Sequence, residues 1–558
     1  MRITRLDVRA EHGITMVAVM VVMTVATMVA SAVLLAAQGD LPFSKASSDR
    51  KQANAAAESG IAYYLYQLSR DNDYWTKCDD VPAPAPVHQK WNGNGTDPRA
   101  WRTVPGTASQ YTLELLPAPG QTSCEAGKAD TTLLDAASGT FRIRSTGRVG
   151  KVHRSIIATF RRSSFLDFLY FTDKETFSPE VYTTTALRDA AKTTCDQYER
   201  DGRPTPTPGN PLCATIQFIS SDANRGPFHT NDQIRACGNY TLGRSKADKI
   251  QIVGSPKVTT PGTSGACQAG APNYLGTVVN QVKTLPMPST NASLKARAGV
   301  LYTGRTWIRF HSGVMDVTTW PGGVKTEQLD QPVPANGVIF VQSKPGTCSN
   351  VQPPTRQEYT EESGCGNVTV YGTYSKSLTI ASEKDIVVGA PVDPVTLDPI
   401  VSSADLKRSG DVVLGLIADK FVRVSHAVNR DGGDDDADGT VCDNRRAPDG
   451  NWTHDIDIEA AILGLTHSFI VDNHDCGKQL GTLKVTGAIA QKFRGPVGQS
   501  TTYWNGSSYQ LRQSGYTKSY NYDDRLRFRS PPFFLNPVDA EWLNIRQNEQ
   551  VPAIYERP

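Results

Sequence analysis

Little in this sequence points to catalysis. It has no G-x-S-x-G turn, no H-E-x-x-H pair, no Walker A loop and no Rossmann glycine pattern, which excludes the commonest hydrolase, metalloprotease, NTPase and dehydrogenase signatures. Charge of one sign is lacking too. The 58 Lys+Arg stand against 56 Asp+Glu, a net +2 over 558 residues, so no field steers nucleic acid or an acidic surface toward the chain. No C-x-x-C pair and no Cys/His run with ligand spacing occurs, which disfavours a zinc site. Gly (46) and Pro (35) stay well below the roughly 25–30% of a low-complexity chain. At roughly 100–200 residues per domain, this length implies more than one structural unit.

One further absence sets the compartment. No charged residue occurs between Glu11 and Asp40, and residues 14–37 are almost entirely Val, Met, Ala, Leu and Thr. As a helix that run covers about 36 Å, enough for a hydrocarbon core of roughly 30 Å. Arg2, Arg5 and Arg9 precede it, so the positive-inside bias keeps the N-terminus cytoplasmic and sends the rest outward. A secretory signal peptide cut at Ala30-Ser31-Ala32 and an unprocessed single-pass anchor are the competing readings. Against both, the charged leader ends in Gly13 immediately before Ile14-Thr15-Met16.

That leader, the apolar run and the downstream Ala53-Asn54-Ala55-Ala56-Ala57-Glu58-Ser59-Gly60-Ile61 resemble the N-terminal region of PilX-type pilus assembly proteins and of minor pseudopilins. The resemblance implies cleavage by a prepilin peptidase between Gly13 and Ile14, with other pilin-like subunits and the membrane as partners. Major pilins carry Glu at the fifth mature position. Here it is Ala18, which argues against a repeating shaft subunit and for a minor or tip component.

Beyond the run, Gly39, Asp40 and Pro42 are expected to break or kink the helix, which then resumes through Leu68. Val81-Pro82-Ala83-Pro84-Ala85-Pro86 marks an extended connector. Strand patterns at 110–116, 140–146 and 152–160, with a hairpin signal at Gly147-Arg148-Val149-Gly150, predict a small α+β head. From Phe165 onward, short apolar strands separated by Gly, Asn and Asp continue for over 300 residues without a helical period. The clearest lie at 215–219, 249–253, 300–302, 337–342, 367–371, 377–381, 385–388, 411–417, 421–426, 468–471 and 482–489. Such strands with tight corners predict a right-handed parallel β-helix, with β-sandwich domains as the alternative.

Gly226-Pro227-Phe228-His229-Thr230-Asn231-Asp232, Ala488 to Gly498, and Tyr522 to Arg527 with Ser530-Pro531-Pro532 resemble motifs of β-helical extensions in PilX-like and related Gram-positive surface proteins. Tyr522 to Arg529 reads as a charged edge strand. The expected organisation is a leader at 1–13, a transmembrane helix at 14–37, a helical stem at 38–78, the head and connector at 79–164, a β-helix ectodomain at 165–515 and a C-terminal cap or tail at 516–558.

Ten cysteines beyond the membrane fit an oxidising compartment. Their order invites five local bridges: Cys78 with Cys124, Cys195 with Cys213, Cys237 with Cys267, Cys348 with Cys365 and Cys442 with Cys476. Asp434, Asp436 and Asp438 with Gly439 copy the opening of a calcium loop, but the twelfth position is Arg445 in place of Glu. Completing the cage requires another ligand such as Asp443, and a solvated acidic loop is the competing reading. Calcium is the one cofactor the sequence offers. His454, His467 and His474 lie in one region, His229 sits in a turn motif, and Trp320, Tyr503 and Trp504 flank turns where they either cover the core or face a sugar. The expectation is a non-enzymatic, membrane-anchored, pilin-like surface protein. The alternative is a surface-anchored protein that binds or cleaves polysaccharide.

Overall fold

Ala-rich composition carries the first helix far beyond the apolar run: Ile14–Arg70 is one element of 57 residues, about 85 Å long. The expected interruption at Gly39, Asp40 and Pro42 does not occur. A proline removes one i→i−4 hydrogen bond, and a long helix absorbs the loss. The structure, a computed structural model, describes residues 14–78, 101–135, 138–204, 212–219, 222–254, 258–259, 273–349, 351–402, 404–430, 442–452, 454–504, 507–538 and 540–553. Among the described residues no helix is long and apolar enough to cross a membrane. The expected span at 14–37 falls partly outside them, since the described side chains of that run are those of residues 16–32. These are exposed all round, Met16 at 70%, Val22 at 66% and Met28 at 71%.

The chain divides into two compact units, residues 1–133, 141–160 and 544–558 in the first, 134–140 and 161–543 in the second. In the first, Ala53, Ala56, Ala57, Ile61, Tyr64 and Leu68 recur at helical spacing and are buried on one face. They cover a sheet ordered Arg102–Thr103, Gln110–Leu116, Thr140–Val149, Val152–Arg162, Trp542–Gln550. Small residues set the approach: a Cβ on Gly147 would sit 2.0 Å from the Ala53 carbonyl oxygen, and one on Gly60 2.3 Å from Ser145 Oγ. Beside this contact Tyr64, Phe141 and Phe160 form an aromatic cluster with ring separations of 5.3–6.0 Å. The last strand of the sheet comes from the segment expected to be a C-terminal cap or tail.

The second unit is built from parallel pairing, unlike the antiparallel layers of a β-sandwich. One ladder runs in space through Val300–Thr303, Val338–Gln342, Leu378–Ser382, Leu414–Ala418, Ala461–Gly464, the C-terminal half of Gln479–Phe493, Tyr170–Lys174, Phe228–Thr230, Lys249–Ile252 and Thr277–Val279. A second passes from Val368–Tyr374 through Leu406–Arg408, Ile456–Ile458, the N-terminal half of Gln479–Phe493, Tyr509–Tyr522, Ala223–Arg225 and Thr241–Leu242 to Asn273–Tyr274. A third joins Val368–Tyr374, Ile386–Val388, Val422–Val424 and Phe469–Val471, and a separate short sheet joins Gln217–Ile219, Ile234–Cys237 and Val258–Thr259.

Register explains why these strands stay in place. On the first ladder Ile339, Ile380, Leu416, Ile462, Ile489, Tyr170, Phe228 and Ile250 pair successively and all are buried. A one-residue slip would move the whole column to the opposite face of the sheet, and each buried aliphatic or aromatic side chain contributes about 1.5–3 kcal/mol.

Spatial order departs from chain order. The strands of residues 170–279 follow those of 300–493 along the ladder, so the chain enters in the middle, climbs to one end, returns and fills the other part. The returning segment, 280–299, is held along its way. Asn231 bonds both the N–H and the carbonyl of Leu285, Asn291 Nδ2 donates to the Ser382 and Ile417 carbonyls, and Asn336 Nδ2 donates to that of Arg297.

Two local expectations are corrected. Tyr522 to Arg529 is no edge strand: Tyr522 ends a strand, and Asp523 caps a 3-10 turn at Asp524–Arg527 by accepting from the Arg525 N–H. A helix, Thr185–Thr194, interrupts the region expected to lack helical structure, capped by the Thr184 hydroxyl accepting from the Leu187 N–H.

Candidate functional site

The residues singled out from sequence fall into separate settings. Gly13 and the calcium-loop aspartates Asp434, Asp436 and Asp438 lie outside the described residues, while Ile14 is the first residue of the long helix. Four of the expected cysteine pairs are bonded: Cys78–Cys124, Cys195–Cys213, Cys348–Cys365 and Cys442–Cys476. Cys267, the expected partner of Cys237, lies outside the described residues. Bonds of this number belong to an oxidising, extracytoplasmic compartment. Cys442–Cys476 ties down the base of the acidic loop, where Asp443 is buried and pairs in register with Asn429.

The three histidines of one sequence region do not meet. His467 shares a hydrogen bond with Ser178 at 2.9 Å, stacks on Phe421 and is pushed down to about 3 by burial. His454 faces Asp449 at 3.3 Å. His474 is buried elsewhere, its Nδ1 without a hydrogen-bond partner. His229 is enclosed between Gln251 and Asn231 in the core. Trp320 packs edge-on against Trp307, a covering role; the side chains of Tyr503 and Trp504 lie outside the described residues. A His311, Asp316 and Asp330 cluster brings its ligand atoms within 4.8 Å across the antiparallel strands Thr306–His311, Val314–Thr319 and Thr326–Pro332. No spacing rule in the sequence joins these three.

Sequence reading missed a set of buried ion pairs where the strands of 170–279 meet those of 479–522. Arg494 Nη1 donates to Glu175 at 3.1 Å, with side-chain exposures of 5% and 0%. Its guanidinium also reaches the Ile216 carbonyl at 3.0 Å and lies 3.7 Å over the Phe218 ring. Burial pushes the Glu175 carboxyl up despite the pull of Arg494. Lys518 meets Asp222 at 2.9 Å. Burial alone would raise Asp173, but Lys492 at 2.6 Å, Lys174 at 3.1 Å and the Tyr198 hydroxyl at 2.6 Å outweigh it and hold Asp173 at about 2. Elsewhere Arg423 faces Asp385, Glu361 and Asp472 at 3.2–3.6 Å, and burial pushes Asp472 up to about 7. These groups are paired by charge inside the fold, which makes them structural rivets, although Arg423 Nε and Nη1 and Asp472 Oδ1 lack a hydrogen-bond partner.

The same junction opens into a cleft of about 590 Å³. One wall is the antiparallel hairpin of Gly498–Trp504 and Tyr509–Tyr522, which sets Ser500 opposite Gln513 and Gln499 opposite Ser514. Thr215, Gln217 and Ile219 form the facing wall, and Tyr516, Thr517 and His474 also line the space. The charged lining groups, Asp222 and Lys518, neutralise each other.

No family model and no curated protein matches this chain. Among solved structures, the competence-associated pilin ComZ from Thermus thermophilus is a weak neighbour, 11% identical over 90% of this chain and 98% of that one, with a TM-score of 0.20. Similarity at that level does not establish a shared fold.

Proposed function

We propose that this chain is a membrane-anchored, non-enzymatic, pilin-like protein, a minor or tip component in pilus or pseudopilus assembly that displays a large extracellular domain. The observation that carries the reading is the first unit, in which a 57-residue helix, apolar and exposed over its N-terminal part, packs its Ala-rich C-terminal part on an antiparallel sheet through Gly147. An exposed apolar helix needs an apolar surrounding, supplied first by lipid and then by the helices of neighbouring pilin-like subunits. Residues 14–37 span the membrane in this reading, with the N-terminus cytoplasmic, and a prepilin peptidase releases Ile14. The disulfides support an extracytoplasmic position for everything that follows.

The displayed domain is, in this reading, a right-handed parallel β-helix. Its support is the parallel ladders and the in-register column from Ile339 to Ile250, together with the right-handed rule for parallel crossovers.

Mass spectrometry of the most N-terminal peptide of the native, membrane-extracted protein tests the assembly reading. A start at Ile14 is expected. A start at Val33 would mean release without an anchor, and an intact Met1 a static envelope protein; either outcome removes filament assembly.

A further inference from the structure

We propose that the cleft between the hairpin of residues 498–522 and the strand of residues 217–219 is a binding site for a short, neutral oligosaccharide. Its volume of about 590 Å³ lies in the range of small-ligand sites. Its lining chemistry selects the class. Gln217 and Gln513 present amides, and Ser500, the cross-strand partner of Gln513, a hydroxyl, groups that donate and accept at once. A sugar hydroxyl does the same, so vicinal hydroxyls match such a wall bond for bond. Phe177, Tyr516 and Pro496 add apolar surface suited to the C–H faces of a pyranose ring.

Charge argues against the other classes. An anionic ligand would require unpaired cations, yet Lys518 is committed to Asp222 at 2.9 Å. A metal ion would require free carboxylates, and Asp222, the acidic lining residue, is also 3.9 Å from Arg494.

His474 lines the cleft at 7% exposure, with its Nδ1 below the water-accessible surface. Burial holds His474 at about 4, so the ring is neutral near pH 7 and adds no charge to the site. The cleft also draws its walls from segments about 280 residues apart in sequence, Thr215–Ile219 and Gly498–Lys518, so it exists only once the parallel ladder is complete.

The test uses the full-length protein in a sugar-free detergent, titrated calorimetrically with cellotriose, maltotriose and triacetylchitotriose, and with trigalacturonate as the charged probe. At least one neutral trisaccharide is expected to bind with a Kd of about 1 mM or tighter. The double variant Ser500→Ala, Gln513→Ala should weaken that binding about tenfold or more, since a hydroxyl and an amide on one face of the hairpin are removed. Both side chains are exposed, so the unfolding temperature of the double variant should match that of the parent. Absence of binding by all three neutral sugars, unchanged affinity in the double variant, or trigalacturonate binding as tightly as the best neutral sugar would each overturn the proposal.

Discussion

Arg494→Met tests whether buried charge holds the junction of the second unit together. The native guanidinium is enclosed, donates to Glu175 and to the Ile216 carbonyl, and lies over the Phe218 ring. Methionine keeps much of the apolar stem and some of the ring contact, so packing loss is small. What changes is Glu175, fully buried and left with the Thr172 hydroxyl as its neighbouring donor. Removing one member of a buried pair costs about 3–5 kcal/mol, because the surviving charge is neither solvated nor paired. Glu175 is already raised by burial, and loss of the cation removes the main influence that lowers it. The double variant Arg494→Met, Glu175→Gln removes both charges and keeps an amide that still accepts from Thr172. It should recover most of the loss, leaving about 1–2 kcal/mol for the unmet Ile216 carbonyl. Urea midpoints followed by circular dichroism supply the comparison. A single-variant cost under about 1 kcal/mol would place the pair with exposed ion pairs, and failure of Glu175→Gln to rescue would show that packing, not charge, sets the loss.

Three further outcomes are expected. Asp173 has a folded pKa depressed to about 2, so its stabilisation, about 2 kcal/mol, is present above pH 4 and lost as pH falls through 2. Asp173→Asn should therefore lower the urea midpoint at pH 7 and flatten the acid limb between pH 4 and 2. Gly147→Ala places a Cβ 2.0 Å from the Ala53 carbonyl oxygen and 2.5 Å from the Ala57 nitrogen. Neither is the end of a flexible side chain, so a loss of about 2–3 kcal/mol is expected, read as faster amide exchange along residues 53–68. Replacing Cys78 and Cys124 by Ser opens a loop with a sequence separation of 46, which on the chain-entropy scale costs about 4 kcal/mol and should lower the thermal midpoint of the first unit.

Legibility in the sequence followed the periodicity of apolar residues. Gln110–Leu116 is read from the alternation of Tyr111, Leu113 and Leu115, and the structure gives those bounds. The strands near 338, 378, 386, 414 and 469 are apolar runs between turn residues, and parallel strands buried on both sides leave that trace. Trp542–Gln550 was not legible, because after Trp542 it is mostly exposed and polar, without the alternation that marks a strand. The helix Thr185–Thr194 was missed because its apolar stripe, Ala186, Leu187, Ala190 and Ala191, is short and built mostly of alanine. Charged residues misled in the opposite direction. Asp173, Glu175, Asp222 and Arg494 belong to types that are almost never fully buried unless paired, and their partners lie roughly 300 residues away. The cleft is built from Gln, Ser and Thr, which form no motif at any spacing.

Strand order accounts for the deepest of these gaps. A linear reading assumes that each parallel strand is followed in space by the next in sequence, yet Tyr170–Lys174 lies beside Gln479–Phe493, and Tyr509–Tyr522 pairs with Ala223–Arg225. Nine strand spacings along the first ladder amount to about 43 Å, and the return segment 280–299 reaches about 66 Å when extended, so the geometry is affordable. During synthesis the strand at Tyr170–Lys174 is made first and pairs on one side with Phe228–Thr230, while its other edge has no neighbour until Ile489–Phe493 emerges. Such an edge accepts strands indiscriminately through its backbone. Its side chains do not: Glu175 and Asp173 next to it require Arg494 and Lys492. A wrong strand would satisfy the backbone, leave Glu175 desolvated without a cation and leave Asp173 with Lys174 alone, a penalty of several kcal/mol that the correct strand avoids. The buried ion pairs thus act as registration marks at the one joint of the ladder that chain connectivity cannot align.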